Sequence, residues 1–456
     1  MLPLDEAEVR RQLSSQPGLL GQYDAATAEQ RKLWSSPFFL DAFLRNGLKG
    51  EDKSSTFSSF FATVPLSREE LQSLADAAFE LYKNRGSRTF PANELEEKTS
   101  VELANRLEAA GVIKRSGDNA YFTHHLAHDY LAATSLVTKP RKWKQPCFDV
   151  ISFAGSSFDS LAMMLEQINT AAAAERLVRA LFDWNPYAAA YCLAEQKREG
   201  VLGFEMRVVI FAMMAERRFD LIDATARRAS DALRLSSTEP AKHLMAAQSL
   251  ENVFEYVRNI DSAENWFSDW RHLFTTPRSG RLADSSVRHL TSDDSVVGWT
   301  MSNVLKRVRL SNSQLKLVRG FVSHQRDVVR WRAVHVLGAF PSSSNLVVLT
   351  SVFDRDKHPW VRLGVVRSLI EMAARGPSDI RKRIFSRLKS RLKLIVQDQL
   401  SRKELESVLL VSKVKNRVEW IDYVSEVLRD LYDQDTGQEA RERFERINKK
   451  FNETYA

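Results

Sequence analysis

Residues Tyr121 to Val137 read YFTHHLAHDYLAATSLV. Ahead of them lie two short strand-like segments, Val112-Ile113-Lys114-Arg115 and Ala120-Tyr121-Phe122-Thr123, separated by Ser116-Gly117-Asp118-Asn119. Gly with Asn and Asp at the centre supplies a hairpin turn. Beyond Thr123, the residues Leu126, Tyr130, Leu131 and Ala133 fall at helical spacing. The stretch therefore predicts an aromatic strand that delivers His124 to the start of a buried helix.

Upstream, Ser67 with Glu70 makes a capping box, and Leu71, Leu74, Ala78 and Leu81 repeat at helix period. Pro91 opens a short helix. Ser100 caps a longer one that runs through Ala104, Leu107 and Ala110 to Gly111, a natural C-cap. Three helices followed by a two-stranded wing is winged-helix order, which places such a domain at 66–138. Residues 1–50 read as a small helical domain. Asp5 caps a first helix with Glu6 and Glu8 in its first turn and Val9 and Leu13 on its apolar face. That helix is expected to stop near Gln16-Pro17-Gly18, and a second to run from Ala25 to Trp34. Ser36 then caps a third, with Pro37 at its first position and Phe38, Phe39, Leu40, Phe43 and Leu44 as its buried face. The polar stretch Gly47 to Ser59 predicts a linker, assigned to 51–65.

Downstream, 139–280 reads as helical, with a strong helix former at Ala171 to Arg176 and helix ends at Trp184-Asn185-Pro186 and Ser236 to Pro240. It carries no chemical motif. Residues 281–456 carry a repeat. Asp327-Val328-Val329-Arg330 leads an apolar helix to Leu337, and Asp356 precedes Val361-Arg362, which leads another to Leu369. Val-Arg and Leu recur 32 residues on, although the Asp does not keep that register. This resembles the HEAT repeat of stacked helix pairs, in which a turn Asp and a helix Arg tie neighbouring units together. Phe385 to Val396 and Leu405 to Leu428 are expected as further, degenerate units, before a charged tail from Asp433. The fold class predicted is mainly α: a small helical domain, a winged helix with a short β-hairpin, then an α-solenoid of HEAT-like repeats.

Composition is that of an ordinary globular chain, 44% hydrophobic and 27% charged. Its 456 residues call for about two to four domains or a repeat array. Lys and Arg number 66 against 58 acids, and a net +8 over this length permits a nucleic-acid or acidic partner without demanding one. Cys147 and Cys192 have no metal-type spacing, which argues for a reducing compartment and against a disulfide framework. No apolar run reaches the roughly 18 residues of a membrane span, and the acidic N-terminus has no signal-peptide core. The expected location is cytoplasmic.

Three motifs, in order, resemble the second half of the NTPase core in NACHT-type STAND proteins, a family of signalling ATPases. Leu2-Pro3-Leu4-Asp5-Glu6-Ala7-Glu8-Val9 is similar to the segment opening that family's first helical domain. Trp34-Ser35-Ser36-Pro37-Phe38-Phe39-Leu40 resembles the motif whose proline packs on adenine. Tyr121-Phe122-Thr123-His124, with Asp129-Tyr130-Leu131-Ala132-Ala133, resembles the winged-helix motif whose histidine reaches the phosphates of ADP and holds the closed state. The resemblance implies Pro37 and His124 as nucleotide contacts once a phosphate-loop half is present, and a C-terminal solenoid that senses a ligand. It also implies that the family's phosphate loop and metal-binding acids would precede residue 1. The nearest string here, Gly47-Leu48-Lys49-Gly50-Glu51-Asp52-Lys53-Ser54, has Asp52 where that loop needs its second Gly. The chain is accordingly expected to be no enzyme by itself, to take no cofactor alone, and to use ATP or ADP only with a supplied NTPase half.

Other candidates fill in the partner list. His124 and His128 stand i,i+4 and could share a zinc face with His125 and Asp129 nearby. A third ligand is not evident and the zincin Glu is absent, so no metal is assigned. The basic run Arg381 to Lys393 puts Ile384, Leu388 and Leu392 on one face and cations on the other. It reads as a solvated repeat helix, or as a surface for nucleic acid or an acidic partner. Two functions follow. One is the regulatory and sensor half of a STAND-type signalling NTPase, in bacterial defence or stress signalling, with a protein or nucleic-acid ligand on its helical repeats and a separate NTPase subunit as a further partner. The other is a winged-helix DNA-binding regulator with a helical-repeat ligand-binding tail. Glu97, Glu102 and Glu108 in and beside the helix through Asn105 and Arg106 would repel DNA phosphates, which favours the first.

Overall fold

Side-chain caps decide where many of the helices begin. In the computed structural model, which describes residues 4–26, 31, 34–46, 52–85, 88–196, 200–278 and 280–406, the Asp5 carboxylate accepts from the Glu8 amide at 2.8 Å and starts α1, Glu6–Leu13. Pro17 begins α2, Pro17–Ala25. The expected break at Gln16-Pro17-Gly18 is thus also a start: a proline without an N–H is as well suited to a first helical turn as to a stop. Most of the helix expected over Ala25 to Trp34 lies outside the described residues. Helix α3, Pro37–Asn46, opens on its proline, with the Leu40 amide bonded to the Ser36 carbonyl at 3.0 Å.

Residues 51–65, expected to be a linker, hold a helix, α4, Lys53–Thr63. Asp52 and Ser55 form a reciprocal capping box, and Phe57 and Phe61 are buried. The serines that made this stretch look like a loop sit on the helix, two of them back-bonded to the preceding turn. Next comes α5, Arg68–Arg85, capped by Ser67 and Glu70 as expected. After it come strand β1 (Thr89–Pro91), α6 (Ala92–Lys98), α7 (Val101–Ala109), β2 (Ile113–Ser116), β3 (Asn119–Phe122) and α8 (His125–Val137). The hairpin turns at Gly117 with φ +60°, a left-handed conformation that glycine adopts without strain. The sheet is antiparallel in the order β1-β3-β2, so β1 adds a third strand along β3. Three residues containing a proline are too short to read as a strand, and the pairing with residues 119–121 is what makes them one.

Among the described residues the rest is helical, in two compact units, Met1–Arg207 and Val208–Ala456. In the first, α8 is the central helix. It packs against α5 on one side and against α10, Asp159–Gln167, on another, where α9, Gln145–Ile151, also reaches it. Helices α11, Ala171–Trp184, and α12, Pro186–Glu195, complete this unit; α13, Phe204–Arg217, runs across the division.

The second unit continues with α14 (Asp223–Arg234), α15 (Glu239–Ala246), α16 (Leu250–Arg258) and α17 (Asn265–Phe274). The helices α18, Ser295–Arg307, α20, Asp327–Leu337, α22, Pro359–Arg375, and α25, Gln399–Glu406, pack each on the next. Between them in sequence lie α19, Asn312–Phe321, α21, Ser343–Arg355, α23, Ser378–Lys389, and α24, Leu392–Gln397. One apolar core runs through Leu305, Val334, Leu337, Val361, Leu369 and Ile384.

Arg330 grips Asp356 through two bonds of 2.7 and 3.1 Å, and Arg362 reaches Asp398 at 3.4 Å and the Leu394 carbonyl at 3.3 Å. Arg330 thus bonds to the residue that follows the next helix, and Arg362 reaches α24 and the residue after it, two helices on. The basic run 381–393 is divided: Ser390 ends α23, and Arg391 precedes α24. Ile384, Leu388 and Leu392 are buried as expected, but so is Arg381, at 3% exposure. The unit expected over 405–428, apart from its first two residues, and the tail from Asp433 lie outside the described residues.

Candidate functional site

His124 sits where strand β3 hands over to α8, one residue before the helix, in extended backbone. It is the N-cap: its Nδ1 accepts from the Leu126 amide at 3.2 Å. A neutral imidazole that accepts at Nδ1 carries its proton on Nε2. Burial, with the neighbouring charges of His125 and Arg88 adding to it, holds the pKa of His124 down to about 4. The ring is thus a neutral N–H donor at physiological pH, at the positive end of a helix dipole.

Helix α3 supplies the second candidate. Pro37 is its first residue and is half-buried, and Phe39, two positions on, lies 6.1 Å from the His124 ring. Phe57 of α4 is also 6.1 Å from His124 and 5.4 Å from Phe39. One aromatic group therefore joins the helix that Pro37 opens to the cap of α8. The Leu4 amide bonds the Ser35 carbonyl at 2.7 Å, so the first and second motifs also touch.

The zinc face does not form. His124 stands outside the helix, whereas His128 is fully buried, its Nε2 bonded to the Ala78 carbonyl at 2.9 Å and its ring stacked 3.6 Å from Tyr82. Burial takes the pKa of His128 down to about 3. Among the described residues no group of three His, Cys, Asp or Glu is placed to hold a metal. Asp129, 1% exposed, accepts from Tyr82 Oη at 2.8 Å, Arg88 Nη2 at 2.9 Å and Ser160 Oγ at 3.1 Å. Burial pushes its carboxyl up, against the pull of Arg88 and Tyr82. The acid of the third motif is therefore the point where α5, the turn before β1 and α10 are tied to α8.

Sequence reasoning missed what fixes α4. Lys53 Nζ is held by Asp159 at 2.9 Å and Glu195 at 3.1 Å, and Tyr191 Oη also donates to Asp159. The Ser54 amide donates to Glu166 at 2.9 Å, and its hydroxyl to the Met163 carbonyl. Glu166 is buried near Asp52, and its pKa is pushed up to about 8, burial being the larger cause. These partners are more than a hundred residues apart, and no local pattern announces them. The lysine of the phosphate-loop-like string is thus committed to two carboxylates in the folded chain. Gly47 to Glu51 of that string lie outside the described residues.

No protein-family model matches this chain, and no curated protein is significantly similar to it.

Proposed function

We propose that the chain is the regulatory and sensor half of a STAND-type signalling NTPase. In this reading residues 1–50 are a NACHT-type helical domain, 66–138 a winged helix, and 281–456 HEAT-like repeats that take a protein or nucleic-acid ligand. The observation that carries it is the aromatic group joining α3 to the cap of α8. It gathers the two elements that the resemblance assigns to adenine and to phosphate, although Pro37 and His124 are far apart in the chain. A neutral Nε2–H at a helix N-terminus suits a phosphate oxygen, since both the donor and the dipole favour an anion.

The order of three helices and a hairpin, extended by β1, supports the winged-helix assignment. The arginine links from α20 to Asp356 and from α22 to Asp398 support the repeats. No catalytic step is assigned to this chain: ATP or ADP would be bound jointly with a phosphate-loop half, and Lys53 is already paired.

The DNA-binding alternative draws less support. Helix α7 exposes Val101 and Glu102, and its Arg106 is paired with Glu70. Arg115 of the hairpin is drawn to Glu96 and Glu108. Cations engaged in this way are not offered to a phosphate backbone.

The test joins the chain to a STAND-type NTPase half bearing a phosphate loop and follows retention of fluorescent ADP and oligomer formation. His124→Ala should speed ADP release and raise the oligomeric fraction, while His125→Ala should not. His128, one helical turn on, is no control, because it is buried against Tyr82 and the Ala78 carbonyl. Equal behaviour of the His124 and His125 variants would leave His124 as a helix cap alone.

A further inference from the structure

In the second unit, the end of α13, helix α18 and the end of α22 line an open cavity of about 100 Å³. A water needs about 10–15 Å³ of such space, so there is room for several waters or for a phosphate-sized group. Its walls carry Arg217, Arg278, Lys306, Arg307 and Arg375 against Glu216 and Asp220. The acids are already used. Glu216 takes Asn303 Nδ2 at 3.1 Å and Arg307, and Asp220 accepts from the Ile222 amide at 2.9 Å. Arg307 is also used, spanning Glu216 and the carbonyls of Phe274 and Thr276.

Behind the wall, Glu371 receives both Lys306 at 2.7 Å and Arg375 at 3.0 Å. Counting it, five cations stand beside three carboxylates in a concave, partly buried place. His335 in the same wall senses that charge. Its pKa is held down first by burial, then by Lys306, Arg217, Arg367 and Arg375.

A second cavity of about 560 Å³ adjoins the first and shares Phe219, Leu250 and Arg278 with it. Its remaining lining is Gln248, Ser249, Glu251 and Phe254. It has the size of a small-molecule site and mixes apolar surface with a few hydrogen-bonding groups.

We propose that these two cavities together bind a small phosphomonoester, with its phosphate in the narrow cationic cavity and its organic body in the wider one. A phosphate dianion suits a wall richer in cations than in carboxylates. Arginine forks at the rim, Arg278 and Arg375, suit phosphate oxygens.

The experiment is calorimetric titration of the whole chain with AMP, glucose 6-phosphate, adenosine, glucose, inorganic phosphate and a short single-stranded oligonucleotide. One or both of the phosphomonoesters should bind, and adenosine and glucose should not. Arg278→Glu, on the exposed rim, should weaken binding about tenfold or more, the loss expected for a charge-assisted bond turned repulsive. Arg375→Gln should weaken it less, because Glu371 keeps Lys306. Arg234→Glu, on an exposed arginine elsewhere, is the control and should change nothing. Melting curves check that each variant is folded. Silence from all the ligands, or binding indifferent to Arg278→Glu, would overturn the site. Inorganic phosphate binding as tightly as the esters would overturn the wider cavity's role, and a preference for the oligonucleotide would assign the cations to a nucleic-acid surface instead.

Discussion

Replacing Arg330 by alanine should loosen the second unit locally, and far more than the same change at Arg362. Arg330 makes two bonds to Asp356, at 2.7 and 3.1 Å, with the side chains 19% and 8% exposed, and its Nη1 also reaches the carbonyls of His324 and Gln325. Bidentate geometry and shielding put this pair above the ordinary surface ion pair. Its removal leaves a nearly buried carboxylate with the His358 amide, at 2.9 Å, as a remaining donor. The expected loss is about 2–4 kcal/mol. Arg362 pairs with Asp398 at 3.4 Å without a hydrogen bond, donates to the Leu394 carbonyl at 3.3 Å, the weak end of hydrogen bonding, and lies over the Phe353 ring at 4.7 Å. Its loss should be about 1 kcal/mol. A chain of two units need not unfold in one step, so the assay is hydrogen exchange resolved to peptides covering 327–337 and 343–355. The double variant Arg330→Ala/Asp356→Asn should show a coupling of about 1 kcal/mol or more. Equal losses at the two arginines, or unchanged exchange in Arg330→Ala, would refute a tie between successive helices at Arg330.

Glu166, with its pKa raised to about 8, binds a proton more readily in the fold than in the unfolded chain. Its favourable contribution is full below about pH 4.5 and is lost as pH rises toward 8, so Glu166→Gln should flatten the pH dependence of first-unit melting over that window; an unchanged slope would contradict it. His128 works in the opposite direction, being neutral in the fold with its pKa near 3. Its contribution holds above about pH 6.5 and is lost as pH falls toward 3, on the order of 5 kcal/mol in all, and His128→Phe should remove that acid sensitivity in a melting series. A Cβ on Gly364 would lie 2.5 Å from Trp331 Cδ1, so Gly364→Ala should cost about 1–3 kcal/mol. Gly320, with open space around it in α19, should accept Ala with a gain of up to about 1 kcal/mol, and thermal melts that fail to separate the two would count against the packing of α22 on α20. Asp52→Ala should lower the stability of α4 by about 1 kcal/mol through loss of the capping box, read as faster exchange over 53–63.

Much of what a few neighbouring residues can specify was legible in the sequence, though the Asp52–Ser55 capping box and the helix start at Pro17 were not. Asp5, Ser67 and Ser100 start their helices because a short polar side chain reaches the amide three residues on, and Gly111 and Gly117 mark turns because only their φ is free. The helix from His125 and the helices carrying the Val-Arg pairs follow from apolar spacing alone. The candidate site was legible only as two separate motifs. That Phe39, Phe57 and His124 form one group depends on how α3, α4 and α8 pack. The third strand, the helix hidden in a serine-rich stretch, the burial of His128 and Arg381, and the cationic cavity between α13, α18 and α22 were likewise decided by tertiary structure. Their partners lie tens to more than a hundred residues away. Local free energies there are small and of either sign, so the decision passes to burial and pairing, which no short window of residues contains.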